Sequence, residues 1–262
     1  MSYLTYLATT KSFYHKKTED NYSVGDNYII IADGMGGECN GDIASKIAVE
    51  TILDTLKINL SDNLSEMEAK ELMFKAIAAA DRAILHFIGY NPDCFGMGTT
   101  VLLLIHNRNN IYLAWCGDSR CFVYSKGKLQ SLTKDHSYVQ ELIDRKEITV
   151  EESYTHQDNN LITRYVGGGD ETCRPEFTST IWKTTDIIIL CSDGLSGYCR
   201  EKDICKQIST NTNIANLSKE LMNLAIKQGS DDDITIITLS RKTKSKRINY
   251  TSLIKWFKQK YL

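Results

Sequence analysis

Four acidic clusters at the ends of short apolar runs are the residues of this chain best suited to chemistry. Runs of this length, rich in isoleucine and bounded by glycine, are typical of buried strands. An aspartate at the end of such a strand is held by rigid backbone at the rim of the sheet, where ligands bind. The clusters are Asp33-Gly34 after residues 28–32, Gly117-Asp118 after residues 111–116, Ser192-Asp193-Gly194 after residues 187–191, and Asp231-Asp232-Asp233 before residues 234–239.

Aspartates distributed over the whole chain in this way predict one convergent carboxylate site. Carboxylates that meet repel one another and raise each other's pKa unless a cation lies between them. Oxygen ligands favour Mg²⁺ and Mn²⁺ over soft metals. The simplest interpretation of the four clusters is therefore a site for hard divalent metal ions.

The elements that must position these aspartates are predominantly strands, with helices grouped in pairs. Apolar stripes at helical spacing, clearest over residues 66–88, indicate core-facing helices. Clustered strands and paired helices predict stacked antiparallel sheets flanked by helices, and the lack of regular alternation argues against a doubly wound sheet. Strands are predicted over residues 2–9, 28–33, 101–105, 111–116, 121–124, 129–132, 176–181, 186–191 and 234–239, and helices over residues 42–57, 66–88, 202–209 and 214–227.

The length of 262 residues and the 42% hydrophobic content predict a single domain over residues 1–240. Residues 241–262 form a basic appendage, predicted to be helical, with eight Lys or Arg and no acid. The remainder has an excess of ten acidic residues, which argues against nucleic-acid binding. The appendage can dock on this acidic body or contact an acidic partner or a membrane surface, and the sequence leaves both interpretations open.

The targeting and cysteine patterns predict a cytoplasmic protein without a zinc site. The eight cysteines show no C-x-x-C spacing. No signal peptide and no run of membrane-spanning length is visible. Reduced cysteines fit the cytoplasm best.

Seven short motifs, in order along residues 1–240, resemble those of the metal-dependent protein Ser/Thr phosphatases, the type 2C or PPM family, in its bacterial style. A single Asp-Gly pair is ordinary turn chemistry, so the specificity lies in the ordered set. The resemblance implies an α+β fold, a four-layer αββα sandwich of two central antiparallel sheets flanked by helices. The motifs are Thr18-Glu19-Asp20, Asp33-Gly34-Met35-Gly36-Gly37, Gly98-Thr99-Thr100, Gly117-Asp118-Ser119-Arg120, Leu132-Thr133-Lys134-Asp135-His136-Ser137, Ser192-Asp193-Gly194-Leu195 and Asp232-Asp233-Ile234-Thr235.

The resemblance also implies roles for individual residues around two Mn or Mg ions. Asp33 would bridge the two ions, with Gly34 offering its backbone carbonyl. Asp193 and Asp232 would complete one ion, and Glu19 would serve the other.

Two further aspartates have implied roles. Asp20 would hold metal-bound waters and would share the catalytic work with Asp33, Asp193 and Asp232. In bacterial relatives a third ion often uses the aspartate that corresponds to Asp118, together with Asp193.

The implied reaction is hydrolysis of phosphoserine and phosphothreonine on proteins by a metal-bridging water. Two ions roughly 3.5–4 Å apart can activate such a water and support in-line displacement at phosphorus, so that no side-chain nucleophile is needed. None of the cysteines belongs to a C-x5-R motif, because Arg120 follows Cys116 at the fourth position.

One departure from the family concerns the phosphate of the substrate. The family usually has a phosphate-binding arginine four residues before the Glu-Asp pair, and this chain has His15 there, followed by Lys16 and Lys17. We assign the substrate phosphate to His15 and Lys16. Met35 and Glu38 stand where relatives often have histidine, so a histidine directly after the Asp-Gly pair cannot serve as general acid.

Two other functions remain open from the sequence: a regulatory or binding pseudophosphatase, and a hydrolase of small phosphoesters. The expected partners are phosphorylated proteins, with a Ser/Thr kinase as the opposing enzyme, and the chain is expected to be a monomer. No nucleic-acid partner is expected, and membrane contact only through the basic appendage.

The polar segment 137–161 is predicted to contain a short helix and to form a mobile flap beside the site. The alternative role for Asp118 is a local ion pair with Arg120 at a bend, and Arg120 is predicted to be structural. His136 is predicted to orient a loop, with proton donation as the alternative.

Overall fold

The computed structural model describes residues 2–11, 18–36, 40–61, 63–107, 109–210 and 216–243, with backbone only for 2–11 and 242–243. The strands within these ranges are β1 (Ser2–Lys11), β2 (Asn21–Val24), β3 (Tyr28–Ala32), β4 (Gly34–Met35), β5 (Gly98–Thr99), β6 (Val101–Asn107), β7 (Asn110–Cys116), β8 (Arg120–Ser125), β9 (Lys128–Ser131), β10 (Glu176–Ile181), β11 (Ile187–Cys191) and β12 (Ile234–Thr243). The α-helices are α1 (Gly41–Asn59), α2 (Glu66–Tyr90), α3 (Tyr138–Asp144), α4 (Val150–Ser153), α5 (Asp193–Ser196), α6 (Glu201–Thr210) and α7 (Leu217–Lys227).

The strands form two five-stranded antiparallel sheets. The first sheet has the order β1-β12-β11-β8-β9, and the second has the order β10-β7-β6-β3-β2. A two-stranded ribbon of β4 and β5 stands apart from both. The predicted antiparallel sheets are confirmed, and the short strands β2, β4 and β5 are additions to the predicted set.

Three apolar cores lie between the layers, and strand β3 contributes side chains to two of them. Ile30 and Ala32 face helices α1 and α2, whereas Ile29 and Ile31 face the other sheet, because successive side chains of a strand point to opposite faces. The third core lies between the first sheet and helices α6 and α7. The layers therefore follow the predicted αββα order.

Helix α2 shows why the predicted helices form where they do. Ser65 caps its start, with a reciprocal bond to Glu68 that satisfies two otherwise free backbone donors. Of the predicted stripe, Leu72, Ala76 and Ala80 are buried against the second sheet.

Strand β12 extends three residues past the proposed domain boundary at residue 240. Arg241 is 9% exposed, and its guanidinium donates to Asn109 Oδ1 at 2.7 Å and to the Trp182 carbonyl at 3.1 Å. The part of the appendage after Thr243 lies outside the described residues, and the division of the chain stays a prediction. Across the described ranges, no helix combines the length and the apolar character needed to span a membrane.

Candidate metal-binding site

The strand directions bring the predicted acidic turns to one end of the sandwich. Strands β3 and β7 run in the same direction because each pairs antiparallel with β6 between them. Asp33 and Asp118 therefore emerge at the same edge. In the other sheet, Cys191 at the end of β11 pairs with Ile236 near the start of β12, so Asp193 and Asp232 also share one edge.

Two hydrogen bonds join these edges of the two sheets across the site. The Glu19 N–H donates to Asp233 Oδ2 at 2.6 Å, over a separation of 214 residues. The Ser192 hydroxyl donates to Asp20 Oδ2 at 2.9 Å and accepts from the Thr235 N–H at 2.9 Å. The Glu-Asp pair before β2 is thereby fixed to the turns that carry Asp193 and Asp232.

The Asp33 turn is tied to the Asp118 turn by hydroxyl groups. The Asp33 N–H donates to Thr100 Oγ1 at 3.0 Å, and the Asp33 carbonyl accepts from the Thr100 N–H and the Thr99 hydroxyl. Thr100 and Ser119 share a hydrogen bond of 2.9 Å between their hydroxyls. The Gly-Thr-Thr motif is thus a packing element that positions Asp33.

Glu19 lies against a pair of glycines. A Cβ on Gly34 would stand 2.0 Å from the Gly41 carbonyl oxygen, and a Cβ on Gly41 would stand 2.8 Å from Glu19 Oε2. Real Cβ atoms do not approach so closely, so both positions require glycine. The close approach brings the Glu19 carboxylate and the Gly34 peptide together, and both groups are assigned to the metal site.

Asp33 lies at the electrostatic centre of the site. Burial raises its pKa well above the usual value, and the charges of Asp20, Asp193, Asp118 and Asp232 raise it further, in that order. Burial also raises the pKa of Asp193, and the nearby charges of Asp118 and Asp232 add to the effect. Five aspartates from different turns therefore share one electrostatic field.

Asp20 and Asp118 are the two carboxyls whose pKa reaches about 7, in both cases because of burial first. Asp233 adds to the rise at Asp20, and Asp135 adds to the rise at Asp118. Burial also raises the pKa of Asp232, whose Oδ1 accepts from the Asp233 N–H at 2.7 Å. In each case burial is the first cause and a neighbouring carboxyl adds to the rise, so these acidic side chains lie close together and away from solvent.

The donor set fits hard divalent ions. Asp20 Oδ1 is buried without a hydrogen-bond partner, which is the state of a carboxylate oxygen that a cation or its water would satisfy. Within the described ranges, no three acidic, histidine or cysteine side chains are grouped closely enough to hold an ion as they stand. The carboxyls nevertheless lie near enough to raise one another's pKa, which an ion between them would reverse.

Arg120 has a different partner from the one considered in the sequence. Its guanidinium binds both oxygens of Asp135, with Nη2 at 2.6 Å from Oδ2 and Nε at 2.8 Å from Oδ1. The pairing with Asp118 is therefore wrong, whereas the structural role of Arg120 is confirmed. A bidentate pair of this kind fixes the bend after β7.

His136 is buried behind the Asp118 turn. Its Nδ1 accepts from the Gly117 N–H at 3.1 Å, and its ring stacks on Trp115 at 6.0 Å between centroids. Its backbone N–H donates to the Gly117 carbonyl at 3.0 Å, so the residue holds this loop, as predicted.

A cleft of about 320 Å³ opens beside Asp118 and Asp193. The segment 137–161 forms one wall through Tyr154 and its neighbours, and contains α3 and α4. Arg200 pairs with Glu151 and lies over the Tyr154 ring at 5.1 Å, which fastens this wall to the body. The segment therefore stands beside the site, and its mobility stays a prediction.

The residues assigned to the substrate phosphate, His15 and Lys16, lie outside the described residues, as do Lys17 and Glu38. The bonds that the sequence did not reveal are those of Asp233 and Ser192. In the sequence Asp233 stands out only as part of the Asp231-Asp232-Asp233 cluster, which does not indicate its bond to Glu19.

Comparisons with known proteins give one consistent result. The family model described as Protein phosphatase 2C matches residues 15–235. The serine/threonine phosphatase stp of Listeria welshimeri is 31% identical over 85% of this chain and 90% of its own length. The serine/threonine protein phosphatase PstP of Mycobacterium tuberculosis is also 31% identical, over 84% of this chain. This chain spans only 41% of the length of PstP.

A solved structure agrees with the sequence relatives. The catalytic domain of the serine threonine protein phosphatase PstP in complex with two manganese ions superposes with a TM-score of 0.80 at 28% identity. The match covers 93% of this chain and all of that domain.

Proposed function

The chain belongs to the protein phosphatase 2C family, and from this premise we propose that it hydrolyses phosphoserine and phosphothreonine on proteins in a metal-dependent reaction. The observation that carries the proposal is the position of Asp33, whose pKa is raised by burial and by four other carboxylates from separate turns. Several carboxyls buried together lower the stability of the folded state, and such an arrangement is typical of a functional site.

Each group in the site has a defined part in holding two ions. Asp33 would bridge them, and Gly34 would offer its backbone carbonyl. Asp193 and Asp232 would complete one ion, and Glu19 would serve the other. Two bound divalent ions supply an activated water and neutralise charge on the phosphoryl group.

The chain itself holds the reacting groups in place. The Ser192 and Glu19 bonds join the two sheets and so fix the spacing between the carboxylates. Asp20, with its second oxygen unpartnered, is placed to accept a hydrogen bond from a water in the site. Burial raises the pKa of this carboxyl to about 7 in the metal-free chain, and bound cations would lower it again, so that Asp20 is charged when it accepts that bond.

The identity and number of the ions are part of the proposal. The two manganese ions in the PstP domain support two sites of the same kind here, which Mn²⁺ or Mg²⁺ can fill. We assign a third ion to Asp118 with Asp193, since the charge of Asp118 raises the pKa of Asp193 and both residues line the cleft.

The substrate phosphate would be held by His15 and Lys16. A phosphoryl group carries about two negative charges near neutral pH, and an arginine fork orients it best. Histidine is shorter and only partly protonated at pH 7. His15→Arg should lower the Michaelis constant severalfold with little change in kcat, whereas Lys16→Ala or Lys17→Ala should raise it. Unchanged constants in all three variants would assign the phosphate to other groups.

A phosphothreonine peptide tests the main proposal. Wild-type protein should hydrolyse it with added Mn²⁺ and lose activity in excess chelator. Asp33→Asn should be inactive, and Asp170→Asn, which makes the same change at an exposed position, should be as active as the wild type. Metal binding without turnover would favour the pseudophosphatase, and efficient turnover of p-nitrophenyl phosphate but not of phosphopeptides would favour the small-phosphoester hydrolase.

The partners follow from the reaction. The substrates would be proteins phosphorylated by a Ser/Thr kinase, and the chain would act as a monomer. The described cysteines are all free thiols, which supports a reducing compartment, and we place the protein in the cytoplasm on that ground.

A further inference from the structure

Two cysteines from distant parts of the chain meet behind the turn that carries Asp118. Cys116 ends strand β7 and is fully buried, whereas Cys173 is half-buried in the loop that leads to β10. The two thiols lie close enough for their interaction to lower the pKa of Cys116 and to raise that of Cys173. Cys116 Sγ in turn lies 3.6 Å from the carbonyl oxygen of Thr172, the neighbour of Cys173.

The loop that carries Cys173 is held firmly in this position. Asp81 is buried in helix α2, and its Oδ1 accepts from the N–H groups of Gly167 and Gly169 at 2.7 and 3.2 Å. The Cys173 N–H donates to the Gly169 carbonyl at 2.8 Å. The loop is therefore anchored at Gly167 and Gly169, and Cys173 is kept next to Cys116.

The two thiols differ in access to solvent, and this difference matters chemically. A small oxidant can reach Cys173 through the partly exposed loop, whereas Cys116 has no exposed surface. An accessible cysteine beside a sheltered one is the arrangement in which the second thiol resolves the oxidised first. Simple packing in the apolar core, where both residues have contacts, explains the burial but not the thiol–thiol contact.

We propose that Cys116 and Cys173 form a modification site at which a peroxide produces a reversible disulfide. Hydrogen peroxide oxidises the Cys173 thiol to a sulfenic acid and is reduced to water. The Cys116 sulfur then attacks the Cys173 sulfur, the S–O bond breaks, and a second water leaves with the Cys116 proton. Two thiols thus lose two electrons and two protons, and one peroxide becomes two waters.

The disulfide would act on the site through Gly117. This residue follows Cys116, has a φ of 120°, and is bonded to His136 through both its N–H and its carbonyl. A Cβ placed on Gly117 would lie 2.6 Å from Thr100, so the turn has no room to move on that side. Drawing the sulfurs to a bond length of about 2.05 Å must shift the end of β7 and with it Asp118.

The experiment is peptide mapping of the full chain after exposure to hydrogen peroxide. Free thiols are blocked with iodoacetamide before trypsin digestion without reductant. Cleavage after Arg108 and Arg120 releases residues 109–120, which contain Cys116 as their one cysteine. Cleavage after Arg164 and Lys183 releases residues 165–183, in which Cys173 is the one cysteine. We expect these two peptides to be linked, and dithiothreitol to separate them.

Two matched variants control the mapping. Cys173→Ser should abolish the link, and Cys205→Ser, at a half-buried cysteine on helix α6, should leave it intact. Cys173→Ala is the second variant if the serine destabilises the loop, and melting temperatures identify any variant that fails to fold. Peroxide that oxidises Cys205 or Cys173 without linking the two peptides would overturn the proposal.

A turnover assay tests the effect on the site, and this part alone rests on the proposed function. Phosphopeptide hydrolysis should fall about tenfold on oxidation and recover with dithiothreitol, with no fall in Cys173→Ser. Full linkage with unchanged turnover would overturn the coupling to the site. A reduced protein that is inactive while the link still forms would refute the proposed function and leave the modification site standing.

Discussion

Buried charged groups have different surroundings at the two ends of the sandwich. At the end described above, Asp33, Asp193 and their neighbours lie close together, and their repulsion raises each other's pKa. At the other end, Arg241 is nearly buried but donates to Asn109 and to the Trp182 carbonyl, and lies 4.3 Å from the centre of the Trp182 ring. Asp186 nearby accepts from the Ser125 hydroxyl and the Lys183 N–H.

The difference separates what stabilises the fold from what performs the chemistry. A buried charge with several partners contributes to stability or costs little, whereas buried like charges oppose folding until a counter-ion binds. His106 beside Arg241 fits the same pattern, because burial and the nearby guanidinium lower its pKa and favour the neutral ring. Substitutions at the two ends should therefore affect different properties, and the following predictions use this contrast.

Asp33→Asn should have the largest effect. We expect phosphopeptide turnover to fall by a factor on the order of 100 or more, because a shared ligand of both ions is lost. The metal-free protein should melt at the same temperature or higher, since the substitution removes a carboxyl whose charged form is disfavoured by burial and by four neighbouring carboxylates. Differential scanning calorimetry in chelator, together with the peptide assay in Mn²⁺, measures both. A variant that is inactive because it melts far below the wild type would contradict the proposed division between the two ends.

The pH dependence of stability gives a second test of the acidic end. The pKa of Asp118 rises from 3.8 to about 7 on folding, so the folded state keeps a proton that the unfolded state loses. The associated stability is present below pH 4 and is lost as pH rises through 7. In chelator, Asp118→Asn should therefore be more stable than the wild type at pH 8 and equal to it at pH 4, as measured by urea unfolding. If the difference in unfolding free energy between Asp118→Asn and the wild type is the same at pH 4 and pH 8, folding does not raise the pKa of Asp118.

Arg241→Ala should give the opposite result to Asp33→Asn. We expect a loss of about 2 kcal/mol in the free energy of unfolding, because Asn109 and the Trp182 carbonyl lose a buried partner. Turnover at a temperature where the variant is folded should be unchanged, since the residue is at the far end from the site. Lys183→Ala, an exposed cation on a neighbouring turn, is the matched control. A specific loss of turnover in folded Arg241→Ala would show that the two ends are coupled.

The residues at the metal-binding end of the sandwich could be predicted from short stretches of sequence. Asp33, Asp118 and Asp193 directly follow apolar runs, and an element end can be recognised within a few residues. The bonds that assemble the site join residues far apart, as in Glu19 with Asp233. Such partners depend on how strands are ordered in two sheets, which a short window of sequence does not contain.

The sequence did not predict some smaller features, for a related reason. Strand β2 has the sequence Asn-Tyr-Ser-Val, at the edge of its sheet, with too few apolar residues to show a pattern. The partner of Arg120 was placed at Asp118 because that residue is two positions away, whereas the bend brings Asp135 to it. The approach of Cys173 to Cys116 likewise depends on tertiary structure, through the pairing of β7 with β10 and the bonds that hold the loop of Cys173 to Asp81. Local chemistry was predictable in each case, and its tertiary partner was not.

Asp118→Ala should have a smaller effect on metal binding than Asp33→Asn. The residue is assigned only to a third ion, so the two central ions should bind with nearly unchanged affinity. Isothermal titration with Mn²⁺ should show the weakest binding event lost and the tighter ones kept. Asp231→Ala, at another carboxylate that lines the cleft, serves as the comparison. Equal weakening of every binding event in Asp118→Ala would place Asp118 among the central ligands.

Removal of the appendage should have the smallest effect, provided that the cut respects strand β12. A chain ending at Thr243 keeps Arg241 and the whole pairing with β1, from Ser2 with Thr243 to Lys11 with Ile234. We expect its melting temperature and its peptide hydrolysis to match the full chain. A chain ending at Ser240 loses the Arg241 contacts and should melt lower, by about the amount that Arg241→Ala does. If the chain ending at Thr243 is as destabilised as the chain ending at Ser240, residues 244–262 contribute to the fold. The end of the sandwich that holds Arg241 then includes part of the appendage.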